Sequence, residues 1–246
     1  MVARRRVLAI NEGMAFPTTR WSLLAQATIH GDAAQVEALA EFYRRYREPV
    51  VNFIHGQTMD HARAQDLAQE FFIHLAEHST LQRADPMRGR FRSFLLGALT
   101  RFLARDRVRS GAVKRGGGEV PLSFDALQPG GGEPGVPADV AQAFDREWAR
   151  DLIARVRREL AADWKGAAHE RVMLLRFLPG AVDTPDYETA AAGLDWKLAR
   201  LKTEVFRVRQ QFRERVRAEI ALTVDAPHEI EQEMTHLHLV LADAAT

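Results

Sequence analysis

The feature that most limits how this chain can fold is the stretch GAVKRGGGEVPLSFDALQPGGGEPGVP, residues 111–137, set between two long tracts of helical periodicity. A run so rich in glycine and proline holds no regular structure. On either side, apolar residues recur at three- and four-residue intervals, which buries one stripe of a helix. Before the interruption, EALAEFYRRYREPVVNFI places Leu39, Phe42, Tyr43, Tyr46 and Val50 on one stripe, and AQDLAQEFFIHLAEH repeats the pattern with Leu67, Phe71, Phe72 and Leu75. A third helix is predicted in RGRFRSFLLGALTRFLARDRVRS, residues 88–110, with Phe91, Leu95, Leu99 and Phe102 aligned; Pro86 and Gly89 break the chain just ahead of it. After the interruption, AFDREWARDLIARVRRELAADW carries Phe144, Trp148, Leu152, Val156 and Leu160 on one face, and HERVMLLRFL is a shorter apolar helix. A short and a long helix follow in DYETAAAGL and KLARLKTEVFRVRQQFRERVRAEI, and a last one begins near Pro227. No segment shows strand-like alternation, so the expected fold is all-α. It comprises a helical bundle over 18–110, a linker over 111–137, a second helical domain over 138–222 and an extension over 223–246, with the two domains held on a flexible tether.

The formal net charge of +1 excludes a wholesale polycation, so any nucleic-acid contact must come from local clusters. The absence of cysteine removes disulfides, thiolate metal sites and cysteine nucleophiles. The opening MVARRRVLAINEGMAF has a basic patch but too short an apolar run for a signal peptide, and nothing approaches the length of a membrane span. A cytoplasmic protein without a membrane partner is expected.

Three local patterns carry chemistry. The short-then-long helical pair has the spacing of a helix-turn-helix, whose second helix enters the major groove. With Leu201, Val205, Val208, Phe212 and Val216 buried, Trp196, Arg200, Thr203, Arg207 and Gln210 fall on the opposite arc, and Lys202 and Arg209 lie on the flank, suited to backbone contact. The same face would also suit a plain solvated helix, and the turn lacks a glycine at Asp195 and a capping serine at Lys197. The arginine-rich stretch at 88–110 combines cations with aromatic edges, a pairing that single-stranded nucleic acid can use, although arginine stems also cover apolar neighbours on ordinary surface helices. HLAEH, residues 74–78, matches an inverted zinc-protease pattern, but a catalytic zinc needs a third protein ligand, and nothing around the downstream Glu147 suggests one. Two histidines in the last turn of a helix are the plainer reading. No cofactor and no small-molecule substrate is expected.

The block AQDLAQEFFIHLAEHSTLQRADPMRGRFRSFLLGALTRFLARDRVRS, followed by KRGGG, resembles the first conserved domain of extracytoplasmic-function sigma factors, and the C-terminal helix pair resembles their second. Asp66-Leu67, Gln69 to Phe72, Asp85-Pro86, Gly89 to Phe91 and Arg92 to Leu95 occur in the family's order. The resemblance implies a non-enzymatic protein that binds core RNA polymerase and promoter DNA. The helix from Phe91 to Arg109 would approach the downstream promoter element during opening, with Arg90, Arg92, Thr100, Arg101 and Arg105 as contacts and the loop from Ser79 to Arg90 shaping a pocket for a flipped base. The helix-turn-helix would read the upstream element, and the linker would thread through the polymerase. Polymerase binding would fall to Arg63, Gln65, Asp66, Gln69 and Glu70. Family members carry an acidic run similar to DAED before the leucine, whereas this chain has RAQD. It thereby resembles a subgroup switched on by threonine phosphorylation near this helix. Thr58 is the expected acceptor for a Ser/Thr kinase, ahead of Ser79 and Thr80; its phosphate would sit near the start of the helix and pair with Arg63, and Asp60 is the competing helix cap. The alternative is a two-domain DNA-binding regulator that never engages polymerase.

Overall fold

A computed structural model describes residues 33–77, 91–114, 136–224 and 227–243. Among these residues all regular structure is helical: α1 (Ala33–Thr58), α2 (His61–Glu77), α3 (Phe91–Lys114), α4 (Ala138–Ala162), α5 (Ala168–Leu175), α6 (Tyr187–Gly193), α7 (Leu198–Ala221) and α8 (Pro227–Asp243). The expected first domain is described from residue 33 onward, and 18–32 lie outside. The expected linker begins inside α3, which continues through Gly111 to Lys114; residues 115–135 are also outside the described residues.

Most of each predicted stripe is core; on α1, however, Leu39 is only half-buried and Tyr43 is exposed, its ring edge-on to Phe72. Phe42, Tyr46 and Val50 of α1, Leu67, Phe71, Phe72 and Leu75 of α2, and Phe91, Leu95 and Leu99 of α3 are buried. The α3 stripe ends on Leu103 instead of Phe102, which is only half-buried against Phe71. Edge-on aromatic contacts knit the three helices, with Phe42 5.6 Å from Phe72 and 5.5 Å from Phe91 between ring centroids. Such pairs add about 0.5–1.5 kcal/mol beyond the area they bury.

Helix α4 joins the two halves. Its stripe of Phe144, Trp148, Leu152, Val156 and Leu160 is buried, and so are Ala149 and Ile153, so apolar contact extends beyond one face. It packs against α1 and α3 on one side and against α5, α7 and α8 on the other. Phe144 meets Phe53 of α1 edge-on at 5.5 Å. The sequence predicts two bodies on a tether; here the first helix after the tether is docked on the bundle that precedes it. Ion pairs reinforce this docking, because Glu219 of α7 accepts from both Arg45 of α1 and Arg155 of α4. Arg157 donates to the carbonyls of Leu175 (2.9 Å), Leu178 (3.2 Å) and Pro179 (3.1 Å), satisfying acceptors that the end of α5 leaves over.

The helix-turn-helix forms without the glycine expected at its turn. Asp186 caps α6 by accepting from the Thr189 N–H at 2.8 Å. Asp195 itself takes the left-handed conformation, φ 53°, which aspartate tolerates better than most residues. Trp196 N–H then reaches the Ala191 carbonyl at 2.9 Å and Asp195 N–H reaches Ala192 at 3.1 Å, the Schellman arrangement.

Because α4 is shared, Phe144→Ala should lower the stability of both halves together, by about 3–5 kcal/mol. Urea unfolding followed by far-UV circular dichroism and by tryptophan fluorescence should show one transition moved to lower urea by both probes.

Candidate nucleic-acid interface

Helix α3 sorts its arginines into three different jobs. Arg92, in its first turn, is 4% exposed. Its Nε donates to Asp145 of α4 at 3.1 Å, its Nη1 pairs with Glu233 of α8 at 2.7 Å, and its guanidinium lies 3.8 Å over the Trp148 ring. Arg92 is therefore not displayed to nucleic acid as the sequence predicts, because two acids and an aromatic ring from beyond the linker enclose it. The cluster continues through Asp145, whose other oxygen lies 2.7 Å from His236 of α8. Tyr46 borders the same region, and burial pushes its hydroxyl up to about 12 against the pull of Arg92, Arg45 and Arg155.

Arg101 and Arg105 are placed differently. They stand one turn apart on α3, both partly exposed, with the Arg101 guanidinium against Gly97. Burial, and after it repulsion from Arg101, moves Arg105 below the ordinary arginine value. Thr100 returns its hydroxyl to the Leu96 carbonyl at 2.8 Å and lines a crevice between α1, α3 and α4. Arg90 and the loop from Ser79 lie outside the described residues. The aromatic edges expected at the surface are largely taken into the core, since Phe91 is buried and Phe94 and Phe102 are half-buried.

The last turns of α3 are tied to α2 by Asp106. Asp106 accepts from Arg63 at 2.7 Å and from Arg109 at 3.2 Å, while Arg109 also reaches Glu70 at 3.2 Å. The positive charge expected to project from Arg63 is thus answered within the chain. Gln65, Asp66, Gln69 and Glu70 lie on the exposed face of α2, with Gln65 3.0 Å from the His61 ring. Ile73 and Tyr43 are exposed beside this face, around an apolar groove that Gln69 also lines.

Thr58 is the last residue of α1, not a residue at the start of α2. Its hydroxyl donates to the Ile54 carbonyl at 3.1 Å and lies 3.2 Å from the Asp60 carbonyl oxygen, and the side chain is exposed. Asp60 caps α2, accepting the Arg63 N–H at 3.1 Å. Between them, Met59 holds a left-handed φ of 56°. Cationic and titratable groups gather at this turn: Arg107 donates to Gln57 at 2.5 Å, and the rings of His55 and His61 meet at 5.7 Å.

On α7 the buried residues are Leu201, Val205, Val208, Phe212, Val216 and Ile220, which contain the predicted stripe. Arg200 lies 3.8 Å over the Trp196 ring and 3.6 Å from Glu170, and remains largely exposed. Arg207 is exposed and held by Glu204, one turn earlier, whose carboxylate raises its affinity for a proton through hydrogen bonding. Thr203 returns its hydroxyl to the Ala199 carbonyl at 3.0 Å, and Gln210 is exposed. Arg209, expected on the flank for backbone contact, donates instead to the Phe177 carbonyl at 3.1 Å. Phe206 is exposed on the same helix and is absent from the expected contacts. Its signal was available, since it is the large apolar residue that falls off the buried stripe; a thymine methyl is the kind of group it could meet.

The HLAEH pattern is described only in part: His74 packs 6.0 Å from the Phe102 ring, and His78 lies outside the described residues. No cluster of three or more potential metal ligands occurs among the described residues. No helix among them is long and apolar enough to cross a membrane.

Residues 42–112 match the family model described as Sigma-70 region 2. The match covers α1 from Phe42, all of α2 and α3 to Ala112, under a third of the chain, and supports a sigma-70-type transcription initiation factor. No curated protein and no solved structure matches the chain.

Two substitutions separate scaffold from surface on α3. Arg92→Ala strips a buried cation from Glu233 and Asp145 and should destabilise the protein by about 3–5 kcal/mol, whereas Arg105→Ala should cost under about 1 kcal/mol; thermal unfolding compares them. At the α1–α2 turn, Asp60→Ala should cost about 1 kcal/mol through the lost cap, and Thr58→Ala clearly less, by the same measurement.

Proposed function

We propose that this chain is a sigma factor of the extracytoplasmic-function type, which binds core RNA polymerase and directs initiation at specific promoters. The observation that carries this reading is the coincidence of the region 2 match at 42–112 with the α1–α3 bundle, in which α3 presents Arg101 and Arg105 together. The exposed face of α2, with Gln65, Asp66, Gln69 and Glu70, is the proposed polymerase contact, and the α6–α7 pair the proposed reader of the upstream element through Trp196, Arg200, Thr203, Arg207 and Gln210. Arg200 and Arg207 support this role by remaining exposed although each has a carboxylate nearby. A phosphate approaching either one replaces that carboxylate with a ligand of the same charge and geometry.

Activation by a Ser/Thr kinase at Thr58 is part of the proposal. Support comes from the exposure of Thr58 and from the basic groups around its turn. The placement changes the electrostatics first expected, because a phosphate on the last residue of α1 opposes that helix's dipole. Its stabilisation falls to side chains, with Arg107 beside Gln57 and Arg63 released from Asp106 as the partners within the chain. Remaining oxygens are left for basic groups on the polymerase.

Run-off transcription with core polymerase, from the promoter of the chain's own operon, tests the function. A promoter-specific transcript is expected; protein that binds this DNA but never co-elutes with core polymerase would instead be a regulator of the alternative kind. Replacing Arg101 and Arg105 together by alanine should leave co-elution intact and reduce permanganate reactivity of unpaired thymines at least severalfold; equal reactivity removes these residues from the opening step. For the switch, affinity for core polymerase should rise at least about tenfold on phosphorylation, about 1.4 kcal/mol, and Thr58→Ala should abolish the rise.

A further inference from the structure

The cluster around Arg92 is more polar than packing requires. A buried ion pair is seldom more stable than apolar residues of the same size, yet this one joins four charged or titratable groups from three helices: Arg92 of α3, Asp145 of α4, and Glu233 and His236 of α8. Glu233 is 2% exposed and Arg92 4%. The closed arrangement also leaves Arg92 incompletely served, since its Nη2 is buried without a hydrogen-bond partner among the described residues. A buried cationic donor left over in this way is costly and calls for an explanation, and a second state in which it is paired supplies one. The enclosure has the chemistry of nucleic acid: two anionic oxygen groups stand where phosphates would, and the Trp148 face stands where a base would.

We propose that α8 is an intramolecular latch, in which Glu233, working with Asp145 and Trp148, occupies Arg92 in place of nucleic acid until α8 lifts. This rests on the reading of α3 as the helix that faces opened DNA. The latch is seated by apolar anchors, Ile230 and Leu237; the pairing of Glu231 with Arg217 of α7 is solvent-exposed and adds little to the seating. Lifting α8 removes Glu233 and His236 at once, leaving Arg92 with one carboxylate and two free donor positions. Its natural replacement ligand is a phosphate group of single-stranded DNA in the opened promoter.

The absence of cysteine makes the test direct. Spin labels on cysteines introduced at the exposed positions Ala104 of α3 and Gln232 of α8 report their separation in the full chain by pulsed electron resonance. The parent should give one narrow distance, and Glu233→Gln a broadened, longer distribution. Binding of a fluorescein-labelled forked duplex with a single-stranded thymine tail, followed by anisotropy, should be about tenfold tighter for Glu233→Gln than for the parent. Glu231→Gln makes the same change in net charge away from Arg92 and should bind within about twofold of the parent, and Arg92→Ala combined with Glu233→Gln should lose the gain. If Glu233→Gln reduces helicity, Leu237→Ala unseats α8 without touching the ion cluster and should give the same opening and the same gain. An unchanged distance in the variants, an equal gain from Glu231→Gln, or an open variant with parental affinity would each overturn the latch. Run-off transcription read in parallel separates the two ideas: a failed sigma reading leaves parent and variants equally silent with core polymerase, while distance and anisotropy still decide the latch.

Discussion

The structure depends on the burial of α4 from two sides. Phe144 meets Phe53 of α1 and Trp148 meets Arg92 of α3, while Leu160 lies beside Val208 of α7; Leu152, Val156 and Leu160 are buried on the same helix. A helix committed in this way has little freedom to part from α1 or from α7, because separation there exposes close-packed apolar area at about 25 cal/mol per Å². Charged contacts then set the register of what hydrophobic burial has brought together. Glu219 is shared by arginines of α1 and α4, and Asp145 by an arginine of α3 and a histidine of α8.

A second regularity is the way acids distribute the arginines. A chain with nearly balanced charge can still present local positive sites if its carboxylates neutralise some cations and leave others to solvent. On α3 the lone acid, Asp106, holds Arg63 and Arg109, while Arg92 is enclosed by acids from α4 and α8, so the arginines of one helix serve different partners. On α7, Arg209 donates to the Phe177 carbonyl, while Arg200 and Arg207 stay largely exposed beside Glu170 and Glu204. The same residue type thus serves as scaffold at one position and as candidate contact one or two turns away.

Much of the fold was legible in the sequence because periodicity reports burial directly. The α7 stripe and the α4 stripe were readable residue by residue. What periodicity could not report was partnership between distant elements. Ala149 and Ile153 look like ordinary interruptions of a stripe, and only the structure gives them a second neighbour. Arg92 read as a surface cation because the acids that bury it lie 53 and 141 positions further along the chain. Thr58 stands just ahead of α2, as expected, and of the two candidate caps Asp60 takes the role; what the sequence did not show is that Thr58 also ends α1, because the left-handed Met59 between the helices carries no sequence signal.

The turn between α6 and α7 has a consequence for how such a reader can diversify. Its geometry is held by main-chain hydrogen bonds to Ala191 and Ala192, with Asp195 in the left-handed conformation, and Lys197 opens α7 without any side-chain cap. The angle at which α7 is presented is therefore insulated from the identity of its outward residues. In the DNA-reading role proposed for this pair, side chains at positions such as 200, 203, 206 and 207 can be exchanged one at a time on a fixed mount, without each trial also having to rescue the scaffold.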